Sequence, residues 1–113
     1  MPRTIRLTSA ADIRRTYSEG RKASSPAVVA HVLLGDTSRA PRVGVSAARG
    51  IGSAVERNRA KRRIREAVRG MRTPLVPGAD VMLVANRKAT AVEFQELVDS
   101  VASVLARAGG LVA

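Results

Sequence analysis

Apolar residues follow two different periods along this chain, and the period changes several times. Residues 8 to 19 are mostly polar, with Ile13 and Tyr17 one helical turn apart. Ser9 stands where an N-cap belongs and Asp12 follows three residues later, which predicts a short amphipathic helix ended by Gly20. Ala27 to Leu34 is β-branched and apolar, Gly35-Asp36-Thr37-Ser38 reads as a turn, and Arg42 to Ser46 resumes as a V-G-V alternation. Together these predict a hairpin or meander. Gly50 and Gly52 then flank a loop that leads into a helical repeat, with Ala60, Ile64, Ala67, Val68 and Met71 on one side. Thr73 to Gly78, with Pro74 and Pro77, closes that region off. The uninterrupted run Asp80 to Ala85 predicts a strand covered on both faces. Phe94, Leu97, Val98, Val101, Val104 and Leu105 form the clearest helical repeat, preceded by a Thr90-x-x-Glu93 capping box and ended by Gly109-Gly110.

The order helix, strands, helix, strand, helix predicts an α+β fold, a two-layer sandwich of helices on a small sheet. The 113 residues read as one domain, 1–113, with 110–113 as a frayed tail. With no Cys and one His, zinc sites of the usual ligand types, thiol nucleophiles and disulfides are excluded. The basic start Met1-Pro2-Arg3-Thr4-Ile5-Arg6 lacks a following apolar stretch, and no window approaches a membrane span. A soluble, cytoplasmic protein is expected.

Charge narrows the picture. Twenty Lys and Arg stand against nine Asp and Glu, a net charge of +11. Between Ser53 and Arg72, eight basic residues face only Glu56 and Glu66, so this segment carries more than half of the net charge. Asn58, Lys61, Arg62, Arg65, Arg69 and Arg72 form a stripe opposite the apolar face. Glu66 is spaced to pair with Arg62 or Arg63, which leaves the stripe unneutralised. Such self-repulsion weakens an isolated helix, so a polyanionic partner is the natural reason for it. An anionic membrane fits less well, because an interfacial helix wants Trp, Phe and Leu where this one has two alanines. The acids form no paired constellation, and His31 lies alone in an apolar strand, so no catalytic residue and no metal site is read from the chain. Composition alone leaves DNA and RNA open.

The segment G-S-A-V-E-R-N-R-A-K-R-R-I-R-E, residues 52 to 66, closely resembles the signature of the bacterial ribonuclease P protein subunit family. Arg42-Val43-Gly44-Val45-Ser46 is similar to the strand before that signature, and Asp80 to Ala85 to the later apolar strand. Arg6-Leu7, Tyr17, Gly20 and Arg21 match the N-terminal helix region. The resemblance implies an α-β-β-β-α-β-α order with a left-handed βαβ crossover. It also implies an Mg²⁺-dependent catalytic RNA that removes the 5′ leader of precursor tRNA, with Mg²⁺ held mainly by the RNA and no organic cofactor. The implied partners are the catalytic RNA and precursor tRNA, with no membrane and no obligate protein partner. The family's RNA-facing positions transfer to Arg49, Arg57, Asn58, Arg59, Lys61, Arg62, Arg65 and Arg69. A cleft for the single-stranded leader transfers to Ile13, Tyr17 and His31. Here the chain departs from the pattern: Ile13 and His31 replace common aromatics, and Ala48-Arg49-Gly50 replaces S-K-K. Rival classes are a ribosomal or other structural RNA-binding protein without processing activity, a basic DNA-binding protein and a stand-alone nuclease.

Overall fold

The apolar repeats of two helices and the inner face of one sheet close on each other. The computed structural model describes residues 4–112. Five strands, β1 (Ile5–Arg6), β2 (Arg21–Ser24), β3 (Val28–Leu33), β4 (Arg42–Ala47) and β5 (Asp80–Ala85), form one sheet in the order β1-β4-β5-β3-β2. β4 and β5 run parallel and are joined through helix α2 (Ala54–Gly70), whereas β3 is antiparallel to both β5 and β2. β1 adds a short parallel edge beside β4. The class is α+β, in the expected order with β1 placed before it.

Helix α2 and helix α3 (Phe94–Arg107) pack together on one sheet face. There Ile64, Leu97, Val101, Val104 and Leu105 meet Val28, Val81 and Leu83, all fully buried. β5 is covered on both faces, as its unbroken apolar run predicts. Helix α1 (Ala10–Glu19) lies across β3 and β5 on the other face. Its fully buried Thr16 donates its hydroxyl to the Asp12 carbonyl at 2.8 Å.

Several local expectations change. The Gly35–Ser38 turn forms, with the Ser38 N–H donating to Asp36 Oδ1 at 2.9 Å, but β3 and β4 are not partners. β5 lies between them, and with β5 on one edge of β4 and β1 on the other no edge of β4 is left for a β3–β4 hairpin. The tight hairpin is β2–β3, whose first strand is a polar edge strand that buries only Ala23. The predicted capping box is absent: Glu93 itself caps α3, accepting from the N–H groups of Gln95 and Glu96, while Thr90 bonds Arg87 within a 3-10 turn over Arg87–Thr90. Gly20 does end α1, though without left-handed backbone; a Cβ there would lie 2.4 Å from the Thr16 carbonyl oxygen. The tail is not frayed over 110–112. The Val76 N–H donates to Gly110 at 2.8 Å, the Val112 N–H donates to Pro74 at 3.0 Å, and Leu111 bridges Leu75. Gly109 turns the chain back with φ of 79°. Met1 to Arg3 and Ala113 lie outside the described residues.

Candidate nucleic-acid interface

The apolar face of α2 fixes which way its charges point. Ala60, Ile64, Ala67 and Val68 are buried, so Asn58, Arg59, Arg62 and Arg69 are exposed, and Lys61 and Arg65 are half-buried along the flank. Among the described residues none of these basic groups makes an ion pair. Glu66 pairs with neither Arg62 nor Arg63, contrary to the expectation from spacing.

Two signature arginines are engaged inside the protein. Arg63 donates to the carbonyls of Ala89 at 2.7 Å and Val92 at 2.6 Å, clamping the 3-10 turn before α3 to α2. Arg57 donates to the Gly52 carbonyl at 2.9 Å and so braces the loop that enters α2. Ile51, fully buried, anchors that loop, and Arg87 ties it from the far side through the Gly50 carbonyl at 2.9 Å. Arg49 stays exposed beside it. The roles of Arg63 and Arg87 escape a sequence reading, since a carbonyl partner across the fold has no sequence signal.

Ile13, Tyr17 and His31 are brought to the opposite sheet face. The Tyr17 ring, 37 % exposed, meets the His31 imidazole edge-on, with ring centroids 4.8 Å apart and planes at 78°. Ile13 is half-buried one turn earlier on α1. In the sheet His31 sits between Lys22 on β2 and Met82 on β5. Burial, and then the Lys22 charge, hold the imidazole below its usual range, so it is neutral at pH 7. Its Nδ1 is buried without a hydrogen-bond partner.

A charge network fixes α1 over this face. Arg42 makes a bidentate pair with the buried Asp80, both contacts at 2.7 Å, and also reaches Asp12 on α1 at 3.2 Å. Arg15 holds the other oxygen of Asp12 at 2.6 Å, and Arg39 approaches Asp80 at 3.1 Å. Burial pushes the Asp80 carboxyl up, but the Arg42 hydrogen bonds and the charges of Arg39 and Arg42 outweigh it and hold it below the ordinary carboxylate range. No group of three or more His, Asp or Glu side chains is placed to hold a metal ion among the described residues. Nor is any described helix long and apolar enough to cross a membrane.

A mixed sheet with an unneutralised basic helix on one side and the Tyr17–His31 ring pair on the other suits a polyanionic partner. Comparison with known proteins makes this specific. The family model described as Ribonuclease P matches residues 1–109. A ribonuclease P protein component from Symbiobacterium thermophilum is 38% identical over 109 residues, covering 96% of this chain and 95% of the relative. Another, from Gluconacetobacter diazotrophicus, is 36% identical over 108 residues, with coverages of 95% and 93%. The solved RNase P protein of Staphylococcus aureus superposes with a TM-score of 0.75 at 25% identity, over 97% of this chain and 100% of that one. That of Thermotoga maritima, at 24% identity and a TM-score of 0.75 over 90% and 96%, shares the fold. The chain belongs to the ribonuclease P protein component family.

Proposed function

We propose that this chain binds a ribonuclease P catalytic RNA through the exposed face of α2 and its entry loop, and receives the precursor-tRNA leader in the cleft of Ile13, Tyr17 and His31. The observation that carries the reading is the unneutralised row Arg59, Lys61, Arg62, Arg65 and Arg69, displayed on a helix whose other side is locked in the core. Each such cation can neutralise about one phosphate. Asn58, exposed between two arginines, can both donate and accept, which suits a 2′-hydroxyl. The entry loop is held in shape by Arg57 and Arg87, so Arg49 and Arg59 are presented without first ordering the backbone.

In this reading the RNA performs the cleavage and binds the Mg²⁺. The protein's carboxylates do not form a set suited to that ion: Asp80 and Asp12 are already saturated by arginines. What the protein supplies is binding and orientation, with Tyr17 offering a ring face on which a leader base can stack. The test is reconstitution with a bacterial ribonuclease P RNA. Protein alone should leave precursor tRNA uncut in Mg²⁺, and the complex should cleave at a single 5′ site at lower Mg²⁺ than the RNA alone. Robust cleavage by RNA-free protein, or no effect on the RNA's Mg²⁺ requirement, would overturn the reading.

A further inference from the structure

A groove of about 200 Å³ runs between the free edge of β1 and the flank of α2, and its construction differs from the rest of the basic surface. Val43 and Val45, on the face of β4 that points toward α2, make its floor, and Val68 of α2 closes it below. Arg65 and Arg69, one turn apart, form one wall; Arg6 of β1 forms the other. No acidic residue lines it, and among the described residues these three arginines make neither an ion pair nor a side-chain hydrogen bond to the protein.

The β1 edge adds directional groups. The N–H groups of Ile5 and Leu7 donate inward, to the carbonyls of Pro41 and Val43, both at 2.9 Å. Strand alternation therefore turns the N–H and carbonyl of Arg6 outward, one donor and one acceptor at the groove mouth. A simple phosphate-binding surface needs neither an apolar floor nor these groups. A duplex keeps its base faces stacked and has none to lay on an apolar floor, and a peptide strand added to β1 would meet three uncompensated positive charges.

We propose that this groove binds one unstacked nucleobase of the RNA partner, its plane lying on the valine floor between the guanidinium groups and its flanking phosphates on Arg6, Arg65 and Arg69. Unpaired bases splayed from an RNA are commonly held against apolar and guanidinium surfaces and read on their edges. The inference rests on the reading that α2 faces the catalytic RNA. It adds Arg6 and β1 to that surface and changes part of it from charge neutralisation to base recognition.

The test uses the reconstituted complex with a bacterial ribonuclease P RNA. A benzophenone amino acid in place of Thr4, an exposed residue at the groove rim, should cross-link to a single unpaired nucleotide. Val43→Thr keeps the side-chain shape while making the floor polar. It should weaken RNA affinity about fivefold, the low end of the cost of burying an unpartnered hydroxyl beneath the base, without changing the salt slope. Arg6→Ala should instead make the log-log salt slope shallower by roughly 0.7 to 0.9. Thermal unfolding of the free protein serves as the folding control, and the expected affinity losses must exceed any fraction unfolded. Cross-links spread over paired nucleotides, cross-links to protein only, or a Val43→Thr variant of normal affinity would each overturn the groove assignment. If Arg62→Ala with Arg65→Ala also leaves RNA binding unchanged, the α2 reading itself falls; if that pair weakens binding while the groove tests fail, only this inference falls.

Discussion

His31 combines a stability signature with the recognition role proposed for it. It is the only histidine in the chain. Its folded pKa lies below the ordinary 6.5 because burial and Lys22 oppose the cation. The sign follows: the unfolded chain takes up a proton near 6.5 that the folded chain resists, so stability is full above that pH and declines as pH falls below it. His31→Phe should flatten the stability profile between about pH 7 and pH 5, measured by urea unfolding. Tyr17 is tested differently. Tyr17→Leu keeps an apolar group over the sheet but removes the plane, and should cost about 1 to 3 kcal/mol of affinity for leader-bearing precursor tRNA. Affinity for mature tRNA should stay near normal. An unchanged precursor-to-mature ratio in the complex would remove Tyr17 from the leader cleft.

At the scale of elements, α2 divides its charges between two duties. Arg62 is exposed and Arg65 lies on the half-buried flank, neither in an ion pair among the described residues. Replacing both with Ala should therefore make the salt dependence of RNA affinity shallower by roughly 1.4 to 1.8 with little change in melting temperature. Arg63 is the contrast: it satisfies two carbonyls, and Arg63→Ala should cost about 1 to 3 kcal/mol of stability by leaving the Ala89 and Val92 groups unpartnered. That division explains what could be read in advance. The period-3.6 faces of α2 and α3 and the continuous run of β5 are legible because burial imposes them residue by residue. β2 is not, because an edge strand in a hairpin is held by backbone ladder bonds that Arg21, Lys22 and Ser24 do not announce. The β4–β5 pairing is equally silent, since strand order depends on where α2 returns the chain. Ile13, Tyr17 and His31 could be grouped only through family resemblance, which supplied what spacing lacked.

For the molecule as a whole, Asp80 is the hinge between its two faces. It begins the central strand β5 at 2% exposure, yet its charge is spent on Arg42 and Arg39. Asp80→Asn should destabilise the protein by about 1 to 3 kcal/mol, because it leaves Arg39 without its carboxylate and Arg42 with only Asp12. The stabilisation Asp80 provides is complete above the ordinary carboxylate range and disappears only as pH falls through its depressed folded pKa. Denaturant titrations of both proteins across acidic pH should therefore converge at the acid end.

The same network has a consequence for how the molecule opens. Helix α1 has only ten residues, buries only Thr16 and lies outside the main apolar cluster. Its salt link to the sheet is the Arg42–Asp12 pair, with Arg15 orienting Asp12 from within the helix. Its amide hydrogens should therefore exchange with solvent sooner than those of α3, and sooner still in high salt, while the central strands stay protected. A bound leader should slow that exchange, because a ligand that needs α1 in place draws the population away from the opened form.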